Sequence, residues 1–141
     1  MIKGFDKKLI KDNGIYVVAL SGGSDSMCLL HSVIALKKEK HIDIKAIHIN
    51  HGIRGTGAER DEDFVRKYCK DNDIDIYVFC VDCIKYAKDN HKTLEEAARI
   101  LRYIEFDDYI DKLKKKEKKD VYLLVAHHKK DKIETIIHNI A

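Results

Sequence analysis

The sequence predicts one three-layer α/β domain built around a parallel β-sheet. Short apolar runs alternate along the chain with segments of helical periodicity, which is the order typical of βαβ units. The first and last of these runs are almost continuous Val, Ile, Leu and Ala, as expected of strands buried on both faces. Because neither a repeat nor a linker interrupts the pattern, we expect residues 1–141 to form a single domain, with the first strand near the centre of the sheet.

The apolar runs and the helical stripes place the individual elements. Strands are predicted at 15–20, 45–50, 74–81 and 121–126. Two helices between them are marked by Met27, Leu29, Leu30, Val33, Ile34 and Leu36, and then by Phe64, Val65, Tyr68 and Cys69. Thr93 and Glu96 form a capping box that opens a third helix, which continues to about residue 113. Its expected apolar stripe consists of Leu94, Ala97, Ala98, Leu101 and Ile104.

The last segment of the chain predicts a further helix. Ile133, Ile136, Ile137 and Ile140 follow the i, i+3, i+4, i+7 spacing of one helix face. No helix-stop residue follows before Ala141, so we expect the chain to be cut inside this element and a fifth strand to be missing.

Composition and charge narrow the class of protein. Hydrophobic residues make up 45% and charged residues 36%, and no apolar run approaches the length of about 20 residues that spans a bilayer, so a membrane protein and a disordered tail are excluded. The first dozen residues do not resemble a secretory signal, which makes the cytoplasm the default location. Lys and Arg number 27 against 24 Asp and Glu, and this net charge of +3 does not by itself indicate a polyanion partner. The lysines clustered between 112 and 119 are explained most simply as a solvated helix end.

A loop between the first strand and the first helix carries the strongest chemical signal. It reads Ser21-Gly22-Gly23-Ser24-Asp25-Ser26 and is called the 21–26 loop below. Two glycines permit positive φ and a close approach of backbone to ligand, while the helix N-terminus that follows attracts an anion. Ser21, Ser24 and Ser26 can donate hydroxyl hydrogen bonds, and the Asp25 carboxylate suits a phosphate only if Mg²⁺ bridges the two. The loop matches neither a Walker A motif nor a dinucleotide-binding glycine motif.

Further polar groups follow the second and fourth predicted strands. His51 and Arg54 come just after the second strand, and His127, His128 and Asp131 just after the fourth. Because ligands of parallel α/β sheets bind beyond the carboxyl ends of the strands, we expect these groups to converge near the 21–26 loop. Arg54 suits bidentate contact with phosphate, whereas a histidine at either place also fits an ordinary structural hydrogen bond.

The 21–26 loop is the signature of the PP-loop ATP pyrophosphatases, and three further stretches resemble the tRNA(Ile)-lysidine synthetases within that family. They are His48-Ile49-Asn50-His51-Gly52-Ile53-Arg54-Gly55 with Glu59 and Asp61-Glu62-Asp63-Phe64-Val65 after it, Glu95-Glu96-Ala97-Ala98-Arg99-Ile100-Leu101-Arg102-Tyr103, and Ala126-His127-His128-Lys129-Lys130-Asp131-Lys132-Ile133-Glu134-Thr135. The resemblance covers nearly the whole chain and implies a Rossmann-like N-terminal domain that binds ATP.

The resemblance also implies an activity and roles for particular residues. A tRNA(Ile)-lysidine synthetase adenylates a cytidine in the anticodon of an isoleucine tRNA and joins free L-lysine to it, so it is a ligase that releases AMP and pyrophosphate. The implied ATP-binding residues are Ser21, Gly22, Gly23, Ser24, Asp25, Ser26, His51 and Arg54, the catalytic residues Asp25, Arg99, His127 and Asp131, and the Mg²⁺ ligands Asp25 and Asp131. A homodimer is one assembly to be tested.

One stretch departs from the family's usual pattern. Where the family has H-H-x-D-D-Q-x-E-T, this chain has Lys130 in place of an aspartate and Lys132 in place of the glutamine. Asp131 is retained, so binding of Mg²⁺ through Asp25 and Asp131 is still expected, with one carboxylate fewer.

The cysteines keep an alternative open. Cys80 and Cys83 form a C-x-x-C, and some PP-loop enzymes that thiolate tRNA hold an iron–sulfur cluster near this place with a further cysteine. Cys28 and Cys69 fall in the helical periods and are expected in the core, so a third ligand is lacking and a chance pair is favoured. The alternatives are therefore a tRNA thiolase, a PP-loop synthase acting on a small molecule, and a nucleotide-binding module without catalysis.

Overall fold

The computed structural model describes residues 13–21, 23–52, 57–129 and 132–139. The elements in chain order are β1 (Ile15–Leu20), α1 (Ser24–Leu36), β2 (Asp43–Asn50), α2 (Ala58–Asp71), β3 (Asp75–Cys80), α3 (Cys83–Asp89), α4 (Leu94–Glu117), β4 (Val121–Lys129) and β5 (Lys132–Asn139). The four predicted strands and the first three predicted helices are therefore confirmed. The seven-residue helix α3 was not predicted, because it is too short to show an apolar period.

The strands form one sheet in the order β3-β2-β1-β4-β5. β1 pairs in parallel with β2 and β4, and β2 pairs in parallel with β3, which confirms the central place predicted for β1. All six residues of β1 are buried, as its continuous apolar sequence requires for a strand covered on both faces.

Alternate residues of β1 enter two separate hydrophobic cores. Tyr16 and Val18 pack in the core that contains side chains of α1 and α2, whereas Ile15 and Val17 pack in the core that contains α4. The rings of Tyr16 and Tyr122 stack at 4.9 Å between centroids and join β1 to β4 within the first core. The three layers predicted from the sequence are thus confirmed as helices, sheet and helices.

Thr93 is confirmed as the N-cap residue of α4, and Glu96 bonds to its hydroxyl group. The Thr93 hydroxyl accepts a hydrogen bond from the Glu96 backbone N–H at 3.1 Å and donates one to the Glu96 carboxylate at 3.0 Å. The helix ends four residues beyond the predicted limit, and its C-cap residue Lys118 has the left-handed conformation. The predicted apolar stripe is wrong in part, since Leu94 and Ile104 are exposed while Phe106, Ile110 and Leu113 are buried in its place.

The prediction of a final helix is wrong, because residues 132–139 form the antiparallel strand β5 beside β4. Ile133, Thr135, Ile136 and Ile137 are β-branched, which favours an extended backbone over a helix. The unpaired edge of β4 also offers a row of backbone donors and acceptors that an added strand satisfies.

Candidate functional site

A cavity of about 330 Å³ opens at the carboxyl ends of β1 and β2, beside Val125 and Ala126 of β4. We call it the strand-end cavity. Its apolar lining consists of Ala19, Leu20, Ile47, Ile49, Phe106, Val125 and Ala126. Its polar lining consists of Ser21, Ser26, His48, Asn50, His51, Asp61 and Arg102. The volume and this mixture of an apolar floor with a few polar groups are usual for a small-molecule site.

Hydrogen bonds of Ser21 and Ser26 stabilise the backbone of the 21–26 loop. The Ser26 hydroxyl, which is buried, donates to the Gly23 carbonyl at 3.2 Å and accepts from the Ser21 backbone N–H at 3.0 Å. The Ser21 hydroxyl lies 3.1 Å from that of Ser26 and accepts from the Gly23 N–H at 3.2 Å. Ser26, expected to be a donor to ligand, therefore shapes the loop by bonding within it.

The start of α1 is presented to the cavity without a side-chain cap. Gly23 is the N-cap residue, and the first-turn residues include Ser24, which is exposed, and Asp25, which is partly buried. The N–H groups of a helix's first turn have no intrahelical acceptor, so such an end offers donors and a positive dipole to an anion. Gly23 has a φ of −80°, so the expected positive φ is wrong at this position. Gly22 lies outside the described residues.

Two histidines of β2 and the turn after it differ in their contacts. His48 is buried, and its Nδ1 lies 2.7 Å from the Leu20 carbonyl, which joins the ends of β2 and β1. His51 follows the last residue of β2, and its Nε2 is buried with no hydrogen-bond partner among the described residues. Burial, the Arg102 guanidinium and His48 lower the pKa of His51, in that order of importance. His51 therefore lines the cavity as a neutral imidazole at neutral pH.

The turn after β2 has an enforced backbone geometry. Gly52 has a φ of +70°, and a Cβ atom there would come within 2.9 Å of the Val81 carbonyl oxygen, so only glycine fits. The Asn50 side chain holds this turn, since its Oδ1 accepts from the Gly52 N–H at 2.9 Å.

Arg102 and Asp61 line the cavity, although neither was among the predicted site residues. Arg102 projects from α4 one turn before the buried Phe106, whereas Arg99 is exposed and is not among the cavity-lining residues. The sequence feature that could have placed Arg102 at the cavity is its helical spacing from Phe106, Ile110 and Leu113, which share one face of α4. The assignment of Arg99 as catalytic stays a prediction. Asp61 comes from the first turn of α2 and gives the cavity a carboxylate.

Several predicted site residues are not placed in the cavity by the structure. Arg54 and Asp131 lie outside the described residues. β4 runs three residues beyond its predicted end, so the backbone of His127 lies within that strand and pairs with Glu134 of β5. The expectation that His127 and His128 follow the strand is therefore wrong.

The cysteines do not gather into a metal site within the described ranges. Cys80 is exposed at the end of β3, and Cys83 is buried at the start of α3. Cys69 is buried as predicted, but Cys28 is exposed, because Leu29, Leu30 and Val33 occupy the buried face of α1 and Cys28 lies off that stripe. Among the residues that the structure describes, no group of three His, Cys, Asp or Glu side chains could hold a metal ion.

The helices described here include none that is long and apolar enough to cross a bilayer.

Comparison with known proteins gives relatives over nearly the whole chain. The chain is 40% identical over 132 residues to a protein named tRNA(Ile)-lysidine synthase from Clostridium acetobutylicum, covering 94% of this chain and 28% of that protein. It is 44% identical over 124 residues to a tRNA(Ile)-lysidine synthase from Clostridium tetani, covering 88% of this chain and 26% of that one. The chain thus spans little more than a quarter of the length of the curated relatives it matches.

A solved structure and a family model agree on the fold. The fold of this chain is similar to the solved structure of the U34-tRNA thiolase NcsA from Methanococcus maripaludis with its [4Fe-4S] cluster, with a TM-score of 0.62. The two sequences are 22% identical, and the match covers 85% of this chain and 40% of that one. At that identity the similarity shows a shared fold. A family model described as a PP-loop domain matches residues 2–141. The chain belongs to the PP-loop family.

Proposed function

We propose that the strand-end cavity binds ATP, with the phosphates on the 21–26 loop. The loop joins a buried central strand to the uncapped N-terminus of α1, where helix N–H groups and the helix dipole favour an anion. The apolar floor beside it, which includes Ile47 and Phe106, suits the remainder of a nucleotide. In this proposal Arg54 and His51 contact the nucleotide together with the loop.

The residues present fit a Mg²⁺ ion that arrives with the nucleotide. Mg²⁺ is usually bound by one or two carboxylates together with substrate phosphates, and it does not need a cage of protein ligands. Asp25 in the first turn of α1 supplies one carboxylate of the 21–26 loop. We assign Asp25 and Asp131 as its ligands, and the bound ion would screen the phosphates.

We further propose that the protein containing this chain is a ligase that makes lysidine. It would adenylate an anticodon cytidine of an isoleucine tRNA, release pyrophosphate, and let the amine of free L-lysine displace AMP. The observation that carries this proposal is the identity of 40% and 44% to two proteins named tRNA(Ile)-lysidine synthase, each over most of this chain. A cytoplasmic location follows from that activity.

The roles of the chain's own residues follow from charge and position. Arg102 brings a fixed positive charge to the cavity, where it offsets negative charge on the reacting groups more strongly than it would in water. The neutral His51 ring forms a hydrogen bond with the ligand, and the positive charge in the cavity comes from Arg102. Arg99, His127 and Asp131 are proposed as the catalytic residues together with Asp25, acting mainly by orientation of the substrates.

Exchange of radioactive pyrophosphate into ATP tests the adenylation step. With the whole protein that contains this chain, we expect exchange only when Mg²⁺ and an isoleucine tRNA with cytidine at the modified position are present. Exchange should be lost when that cytidine is replaced by uridine. Exchange that needs no tRNA would support a synthase of small molecules. Binding of ATP without exchange under any of these conditions would support a nucleotide-binding module.

A further inference from the structure

The side chain of Asn50, which lines the strand-end cavity, makes two hydrogen bonds. Its Oδ1 accepts from the Gly52 N–H at 2.9 Å, and its Nδ2 donates to the Glu62 carboxylate of α2 at 3.3 Å. Its backbone carbonyl accepts from the Val81 N–H at 2.9 Å, which ties the same residue to the segment after β3. One residue thus links β2, the turn after it and α2.

Glu62 is held from its other oxygen as well. Its Oε2 accepts from the Arg66 guanidinium at 3.1 Å, one helical turn further along α2. The hydrogen bond from Asn50 is the largest cause that lowers the pKa of Glu62, and the charge of Arg66 acts in the same direction. Glu62 is therefore an ionised acceptor at neutral pH, which makes its bond to the Asn50 amide charge-assisted.

These contacts adjoin two groups of the cavity. His51 lies between Asn50 and Gly52, so the bond from Oδ1 to the Gly52 N–H fixes the peptides on either side of the imidazole. Asp61 directly precedes Glu62 in the first turn of α2, so the hydrogen bond that Glu62 accepts from Asn50 fixes the end of the helix that brings Asp61 to the cavity.

We propose that Asn50 and Glu62 form a clamp that positions His51 and Asp61 for the nucleotide. The Oδ1 and Nδ2 atoms of Asn50 and both carboxylate oxygens of Glu62 are bonded to protein groups, so we treat both as positioning residues. This inference rests on the proposal that the strand-end cavity binds ATP. A hydrogen bond that links two elements restricts their relative position, and misplaced polar groups lose much of their contribution to binding.

Exchanging the amide and carboxylate groups between positions 50 and 62 tests the clamp. Asn50→Asp retains the acceptor for Gly52 but places a carboxylate against Glu62, and we expect the affinity for Mg·ATP, measured by calorimetry, to fall about tenfold. Glu62→Gln keeps an oxygen acceptor and should change the affinity by about threefold or less. The double variant N50D/E62Q restores a hydrogen bond with donor and acceptor exchanged, so its affinity should return to within about threefold of the wild-type value.

Two further measurements separate positioning from a general loss of stability. In a His51→Ala background the effect of Asn50→Asp should shrink, because one of the groups that the clamp positions is gone. Urea unfolding of every variant shows that the folded state is populated during the titrations. Asp111→Asn is the matched control, since it removes an exposed i, i+4 pair to Lys115 on α4 (3.1 Å) and should leave the affinity unchanged.

The ring signals of His51 in NMR spectra report on the clamp without any nucleotide. We expect one sharp set in the wild type and in N50D/E62Q, and broadened or multiple sets in N50D. If the wild type does not bind Mg·ATP, the proposed function fails, while the His51 signals still decide whether the clamp exists. Wild-type affinity together with unchanged His51 signals in N50D would overturn the clamp.

Discussion

At the scale of single residues, replacing Asp25 tests whether the 21–26 loop binds Mg²⁺ and phosphate or is an ordinary turn between a strand and a helix. Asp25 belongs to the 21–26 loop and lies in the first turn of α1. We expect Asp25→Ala to weaken Mg·ATP binding by about 1–3 kcal/mol, the scale of a lost charge-assisted contact. Calorimetry measures the change, with Asp71→Ala at the far end of α2 as the control. Unchanged Mg·ATP affinity in Asp25→Ala would remove the metal assignment.

A second prediction concerns the charge state of His51. The Arg102 guanidinium is the second cause, after burial, that lowers its pKa below the ordinary value of 6.5. Arg102→Gln should therefore raise the pKa of His51, whereas Arg99→Gln should change it little, because Arg99 is not a cause of the shift. Titration of the ring signals by NMR measures both values. A pKa that stays the same in Arg102→Gln would place the guanidinium away from the cavity.

The same shift has a consequence for stability. Because the pKa of His51 is lower in the folded chain than in the unfolded chain, the unfolded chain binds the proton more readily. The contribution of His51 to the free energy of unfolding therefore declines as the pH falls from 6.5 through the folded pKa. His51→Ala should reduce the loss of stability in that interval, as urea unfolding at a series of pH values would show.

At the scale of elements, the N-cap bond of α4 predicts an effect on the free energy of unfolding. Thr93 satisfies the Glu96 N–H at the start of a helix that carries Arg102 and Phe106 to the cavity. Thr93→Ala should lower the free energy of unfolding by about 1 kcal/mol, while Thr93→Ser, which keeps the hydroxyl, should lower it much less. Equal losses in the two variants, measured in urea, would show that the methyl group and not the cap is responsible.

The junction of β3 and α3 decides between the ligase and the thiolase. Cys80 is exposed, whereas burial raises the pKa of the Cys83 thiol and so disfavours the thiolate that an iron or zinc ion requires. We expect protein purified without oxygen to be colourless and to contain neither iron nor zinc bound to these cysteines. Stoichiometric iron with visible absorbance that is lost in Cys80→Ser and Cys83→Ser would favour the thiolase.

Elements with one dominant signal were predictable from sequence, and elements with competing signals were not. β1 has a continuous apolar sequence, and Thr93 with Glu96 admits one interpretation, so both were placed correctly. Residues 132–139 carry isoleucines at helical spacing that are also β-branched, and pairing with β4 decides between the two structures. Arg99 and Arg102 are one turn apart, and only the packing of α4 on the sheet shows which of them reaches the cavity.

At the scale of the whole molecule, Lys119, the last of the lysines between 112 and 119, lies at the opposite end of β2 from the cavity. The Lys119 Nζ lies 3.3 Å from the carboxylate of Asp43, the first residue of β2, while the cavity is at the other end of that strand. Lys112 and Lys115 also pair with acidic residues one turn away, Asp108 at 2.9 Å and Asp111 at 3.1 Å. Lysines in the last turn of a helix complement its dipole, so this cluster has a structural explanation.

We therefore expect the 141-residue chain to bind tRNA weakly and without selectivity. Its net charge is only +3, whereas specific nucleic-acid interfaces usually bury about 1,000 Å² or more of markedly basic surface. Contact through exposed lysines alone depends on counterion release, so the affinity should fall steeply as salt rises and should be equal for isoleucine tRNA and other tRNAs. Filter binding at two salt concentrations measures both properties, and a variant with Lys115 and Lys116 changed to Ala should bind less at the lower one. Tight binding of isoleucine tRNA that survives the higher salt would instead mean that these residues already contain a recognition surface, which would then have to be sought at the cavity edge.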